Sequence, residues 1–193
     1  MCAKDYRKLA LQHLSGHWGM MVLIGLIYTL IMSATAYTVV GAIVLGGPML
    51  VGWIAVMLSL LRTGDTKVER LFDGFKGDFG NRMVGYILYS VFLALWSLLF
   101  VIPGIVKSYS YSMTFYLMHD HPEMTATEAI TRSREMMNGH KWELFCLHFS
   151  FIGWMLLSVL TLGIGLLFLL PYMQMAQTEF YENLKNQTEM PQL

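Results

Sequence analysis

Apolar residues run almost unbroken from Trp18 to Leu61, from Met83 to Met118 and from Trp142 to about Met175, and polar residues collect between the runs. A helix that crosses a hydrocarbon core about 30 Å thick needs about 20 apolar residues. Each run is too long for one crossing and suits two. Helix-breaking residues fall near the middle of each, in "TVVG" at 38–41, "IPG" at 102–104 and "TLGIG" at 161–165. The pattern predicts an all-α, polytopic integral membrane protein of about six transmembrane helices, built as three helical hairpins. "GGP" at 46–48 competes for the first turn but leaves too few residues before Leu61 for a crossing. The turn is therefore expected at Tyr37–Gly41, with Pro48 inside the second span, where neighbouring helices can satisfy the freed backbone.

A short motif recurs at the start of each run: "GHWGMM" at 16–21, "GDFGNR" at 77–82 and "GHKWEL" at 139–144. Shifting the chain by 123 residues superposes Gly16 on Gly139, His17 on His140, Thr38 on Thr161 and Pro48 on Pro171. Gly77 falls between, 61 residues after Gly16 and 62 before Gly139. This regularity divides a single membrane domain, 1–193, into repeats of about 3–61, 65–119 and 123–184. A repeat that cannot bury its own apolar face packs on its copies, so a pseudo-threefold arrangement is one expectation.

A polar, amphipathic segment precedes each motif. Thr66 with Glu69, and Thr125 with Glu128, have the spacing of a capping box and mark helix starts. In the second segment Val68, Leu71, Phe72, Phe75 and Phe79 recur at helical spacing. In the third, Ala126, Ala129, Ile130, Ser133, Met136 and Met137 share one face. Tyr6, Leu9, Ala10 and His13 do so in the first. The expectation is a cytoplasmic interfacial helix before every hairpin, with docking on a partner protein as the alternative.

Charge fixes an expected orientation. Of the 13 Lys and Arg, 12 lie in the N-terminal segment, the two linkers or the C-terminal tail, which places both termini in the cytoplasm. "ATA" at 34–36 resembles a signal-peptide cleavage site, but the long polar leader and the hairpin repeat favour a retained first span. Only 13% of the residues are charged and 55% are hydrophobic, unlike an ordinary soluble domain, and no basic block offers a footprint for nucleic acid. Cys2 and Cys146 have neither disulfide nor metal-ligand spacing and read as free thiols.

Few residues carry candidate chemistry. His17, Asp78 and His140 occupy equivalent repeat positions, and a pseudo-threefold packing would gather them as metal ligands; the stronger reading makes them helix caps or interface anchors. His119, Asp120 and His121 precede Pro122 and read as a solvated span end rather than a metal site. His148, near Cys146 and Ser150, reads as an interhelical hydrogen-bonding residue rather than a proton relay. Lys107 departs from the charge map, near the outer end of the fourth span, where it either snorkels or meets an anionic solute with Ser108, Tyr111, Ser112 and Tyr116 beside it. Arg132, Arg134 and Lys141 are candidates for lipid headgroup contacts. A phosphate-binding loop, a nucleophile elbow and an HExxH motif are all missing, so no cofactor, no resident metal and no catalytic residue is assigned.

Residues 102–184, with "PGIVKSYSYS", "NGHKW", "SFIGW", "TLGIG" and a late "PY" followed by "FY", closely resemble the bacterial integral membrane family known as domain of unknown function nine-seven-five. A looser likeness reaches back to Lys4. The resemblance implies a multi-pass protein of the bacterial cytoplasmic membrane and implies no activity. His17 stands where the family pattern has asparagine, which weakens any argument from the pair of His17 and His140. Two main readings stay open. One is a non-catalytic protein that organises the membrane by binding lipids, a membrane or cytoplasmic protein partner, or a second copy of itself. The other is a small transporter or permease with a solute path near Lys107. A membrane enzyme or metal site using His17, Asp78 and His140 is third.

Overall fold

The computed structural model describes residues 3–36, 39–99, 101–161 and 163–189. They form helices and turns, with no strand among the described residues. In chain order the helices are α1 (Ala3–Leu14), α2 (Trp18–Ala36), α3 (Val39–Thr63), a 3-10 helix (Val68–Phe75), α4 (Phe79–Leu99), α5 (Val101–Ser110), α6 (Thr114–Asp120), α7 (Ala126–Met136), α8 (Lys141–Phe149), α9 (Ile152–Leu160) and α10 (Ile164–Glu189).

The expected breaks are close to their predicted places. For the first, α2 ends at Ala36 and α3 begins at Val39, while Tyr37 and Thr38 of the expected turn lie outside the described residues. "IPG" is not itself the turn, because Pro103 sits in the first turn of α5, where a missing N–H costs nothing. The third break is held by Gly163 at φ 88°. Pro48 and Pro171 both lie inside helices, α3 and α10.

By length and composition three stretches among the described residues, fewer than six, suit a membrane crossing: Trp18–Thr35, Ile43–Thr63 and Lys141–Leu160, the last made of α8 and α9 together. The other runs fall short for local reasons. The fourth is split into α5 and α6, of 10 and 7 residues. Helix α4 carries Asn81 and Arg82 in its first turn, and α10 turns polar from Gln174 onward.

Burial separates the three stretches. The α3 stretch is 78% buried, against 17% for that of α2 and 22% for Lys141–Leu160. Helix α3 is thus the central post, with Met49, Val51, Val56 and Met57 fully enclosed. Large apolar side chains project from the periphery, including Leu98 at 87%, Leu160 at 82% and Ile102 at 75% exposure. An apolar surface of that extent belongs against lipid or another protein.

The recurring motif has a backbone cause. Gly16, Gly77 and Gly139 all adopt the left-handed conformation, at φ 86°, 85° and 85°. Each follows an amphipathic helix and precedes an apolar one, so the motif is a glycine stop between two helices of different direction.

Two expectations about the amphipathic segments need correction. The second segment is a 3-10 helix, not an α-helix, and its preceding residue Lys67 provides no side-chain cap, so the Thr66–Glu69 box does not form. A 3-10 helix is slimmer than an α-helix, and here it lets two backbones touch. A Cβ on Gly74 would overlap the carbonyl oxygen of Pro48, and one on Gly52 would overlap that of Leu71. Arg82 then closes the element, donating Nη1 to the carbonyls of Asp73 at 2.9 Å and Lys76 at 2.6 Å.

The third segment holds its predicted apolar face and the first does so in part, Leu14 being buried where Leu9 and His13 are only half-buried, but the protein's own helices cover both. In α1, Tyr6, Ala10 and Leu14 are buried on packing against α10 and α8. In α7, all six residues from Ala126 to Met137 named for that face are buried, and α7 packs on α6 and α4. The Thr125–Glu128 capping box does form, and a cap of this type is worth about 1 kcal/mol.

Candidate functional site

His17, Asp78 and His140 are not gathered, and two of them, Asp78 and His140, have local partners. Asp78 Oδ1 accepts from the Asn81 amide at 3.1 Å and so caps α4. His140 Nδ1 lies 3.4 Å from Glu143 Oε2. His17 Nδ1 is buried with no hydrogen-bond partner. Among the described residues no three His, Cys, Asp or Glu side chains come together as metal ligands. The convergence expected from the repeat is not found.

Asp120 is not the solvated residue expected from its place at a span end. Its side chain is 4% exposed and joins three helix ends. Arg62 at the end of α3 donates to both carboxylate oxygens at 2.9 and 2.7 Å. From α10, Lys185 Nζ donates at 2.8 Å and the Tyr181 hydroxyl at 3.0 Å. Arg62 also donates Nε to Glu182 at 2.6 Å. Burial would raise the Asp120 carboxyl, but hydrogen bonds and charge from Arg62 and Lys185 hold it well below the usual carboxylate range. His119 closes α6 behind it, and His121 turns away to Glu123 at 3.1 Å.

Lys107 is not isolated from the other basic residues. It shares a cavity of about 330 Å³ with Phe92 and Trp96 of α4, Tyr111, and Thr127, Thr131 and Arg134 of α7. Its ammonium sits 4.5 Å from the centre of the Trp96 ring. Arg134 and Lys141 are the like charges it feels. None of the three cations has a carboxylate partner among the described residues. Linear distance from a turn put Lys107 on the far side of the membrane from these residues, whereas α7, packed along α4, carries Arg134 to it. Arg132 does not join them. It pairs with Glu135 at 3.4 Å, with both side chains exposed.

The hydroxyls expected around Lys107 face a second cavity. About 310 Å³ in volume, it is lined by Leu50, Ile54, Tyr89, Ser108, Tyr109, Tyr111, Ser112, Phe115, Tyr116, His148, Gln174 and Gln177. It opens beside the break between α5 and α6, where Ser133 of α7 bridges the interrupted backbone. Ser133 Oγ donates to the Ser110 carbonyl at 2.9 Å and accepts from the Met113 amide at 3.2 Å. His148 is interhelical as expected, with Nδ1 3.4 Å from the Tyr109 hydroxyl. Gln174 donates Nε2 to the Tyr116 hydroxyl at 2.7 Å, and Tyr116 lies 3.2 Å from Thr178 Oγ1. Sequence reading had no means to bring Gln174 and Gln177 to Ser108 and Ser112. An i, i+3 pair of glutamines just past an apolar run was the available signal.

Residues 98–188 match the family model described as a protein of unknown function, DUF975. The resemblance to DUF975 holds over that stretch. No curated protein and no solved structure matches the chain. The DUF975 stretch, slightly under half of the chain, includes Lys107, Tyr111, Arg134, Lys141, His148, Gln174 and Gln177. It thus supplies the cations of the first cavity and most of the polar wall of the second.

The DUF975 stretch also contains Glu179, whose side chain is 10% exposed and lies 3.2 Å from His13 Nε2 of α1. Burial, then the charge of Glu182, pushes its carboxyl up to about 7. In the unfolded chain this carboxyl ionises near pH 4.3. A folded value above the unfolded one means that ionisation costs stability, progressively, as pH rises from about 4 to 7. Glu179→Gln is expected to melt above the wild type at pH 8, with the gap closing at pH 5, in a detergent-solubilised thermal unfolding series.

Proposed function

We propose that this chain is an integral membrane protein that works without catalysis, by holding an anionic lipid headgroup at Lys107, Arg134 and Lys141. The observation that carries this reading is one open cavity lined by Lys107 and Arg134, with the like charge of Lys141 felt at Lys107 and no carboxylate partner for any of the three among the described residues. Uncompensated positive charge at an apolar surface draws phosphate. Trp96 and Tyr111 in the same wall are suited to the headgroup boundary. Six crossings as three hairpins fit this reading: α2 with α3, α4 with α5–α6, and α8–α9 with α10, each begun at a left-handed glycine. The basic linkers and both termini then lie on the cytoplasmic side of a bacterial membrane, where anionic lipid is available.

Native mass spectrometry of the full chain, released from nanodiscs of mixed phosphatidylglycerol and phosphatidylcholine, tests the proposal. Retention of phosphatidylglycerol is expected for the wild type, and at least a fivefold loss for Lys107→Gln with Arg134→Gln. Equal retention of the two lipids, or retention indifferent to the double variant, rejects it.

A further inference from the structure

The cavity between α3, α4, the α5–α6 break, α8 and α10 has a lining unlike the cation cavity. Its wall contains no Asp, Glu, Lys or Arg. An ion placed there would lose its hydration without gaining a counter-charge. A neutral occupant avoids that cost.

The wall also presents polar groups that the protein leaves unpaired. The Tyr89 and Tyr111 hydroxyls have no hydrogen-bond partner among the described residues. Gln174 uses one N–H on Tyr116, leaving its other N–H and its carbonyl oxygen. The hydroxyl hydrogens of Ser108 and Ser112 are given to the carbonyls of Ile105 and Tyr109, which leaves their oxygens as acceptors. Unpaired donors and acceptors in the wall of a cavity favour an occupant that can both donate and accept. The remaining surface is mainly aromatic: Tyr89 stands edge-on to Phe115 at 5.5 Å and to Tyr111 at 6.4 Å. Such rings favour a flat, unsaturated partner. A volume of about 310 Å³ is at the small end for ligand cavities and suits one ring rather than several.

The wall is also made where helices are interrupted. Ser108, Tyr111 and Ser112 flank the α5–α6 break, and broken helices at polar pockets are a recurring way for membrane proteins to present backbone and side-chain groups to a solute.

We infer that this cavity is a binding site for a compact, uncharged aromatic molecule bearing a group that donates and accepts hydrogen bonds, such as a carboxamide. The cations of the anionic-lipid reading, Lys107, Arg134 and Lys141, do not line it, although Tyr111 belongs to the walls of both cavities.

Three isosteres that differ in charge test it: benzamide, benzoate and benzamidine, titrated by saturation-transfer NMR against the full chain in phosphatidylcholine nanodiscs. Benzamide is expected to bind, and the two ions to bind at least tenfold more weakly. Tyr89→Phe and Gln174→Met, each keeping bulk while removing a polar group, are expected to weaken benzamide at least fivefold, while Lys107→Gln leaves it unchanged. A thermal melt of each variant reports whether it is folded, and Tyr89→Phe, which breaks no internal hydrogen bond, keeps the test open should Gln174→Met unfold. No benzamide binding, equal binding of the three probes, or binding indifferent to folded Tyr89→Phe would overturn the assignment. Equal retention of the two lipids by the wild type, with benzamide binding intact, would reject the lipid reading alone.

Discussion

Gly74→Ala is expected to destabilise the protein by about 3 kcal/mol or more, and Gly52→Ala to do nearly the same, although each adds a single methyl group. The added carbon would land on a carbonyl oxygen, of Pro48 in the first case and of Leu71 in the second. A side chain could rotate away, but these obstacles are main chain within regular helices. Helix propensity alone gives the opposite sign for Gly52, because alanine inside a helix is favoured over glycine by about 1 kcal/mol. The two accounts are therefore separable by one measurement. Gly153→Ala provides the control, since a Cβ there meets nothing within 4 Å, and its melting temperature should stay level or rise slightly. Thermal unfolding followed by size exclusion in one detergent reads all three. A Gly74→Ala protein as stable as the wild type would mean that α3 and the 3-10 helix are not in backbone contact.

The second large effect is expected at Asp120. Asp120→Asn keeps the shape of the side chain and removes the charge that Arg62, Lys185 and Tyr181 share. Breaking a fully buried pair from one side costs about 3–5 kcal/mol. Arg62 is 36% exposed, so solvent lowers the expectation to about 2–4 kcal/mol at pH 7. The pH dependence has a definite sign. The folded carboxyl lies below its unfolded value near 4, so its contribution is complete above that value and is lost as pH falls toward the folded one. The gap between wild type and Asp120→Asn should be widest near neutrality and narrow progressively below pH 4. A gap independent of pH would point to lost packing rather than lost charge.

Features set by a local requirement of the backbone were legible in the sequence. Gly16, Gly77 and Gly139 recur because a left-handed residue is needed at three helix ends, and that requirement leaves glycine in place whatever surrounds it. The α7 face and its Thr125–Glu128 cap were legible for the same reason, both depending on helical spacing alone. What covers a face was not legible. Ser133 was correctly placed on the apolar side of α7, yet its role in bridging the α5–α6 break depends on a partner 23 residues away. Thr66 and Glu69 have the spacing of a cap, but contact with α3 selects a narrower helix in which the cap does not form. The nearness of Arg134 to Lys107 was not legible, because distance along the chain stood in for distance in space. The Asp120 cluster was hidden for a similar reason: Arg62, Asp120 and Lys185 each look like an ordinary charge at the end of an apolar run.

The glycine contacts also have a mechanical meaning. Side chains that interdigitate can slide by exchanging rotamers, but two backbones in contact have none to exchange. Through Gly52 and Gly74, α3 and the 3-10 helix form one stiff body, and Arg82 ties the start of α4 to it. The break at 111–113 is held differently, by hydrogen bonds to the Ser133 hydroxyl rather than by touching backbones. A hydrogen bond can be exchanged for another where two touching backbones cannot, so the wall of the aromatic cavity is set by contacts that an occupant could replace, beside a body that it could not deform.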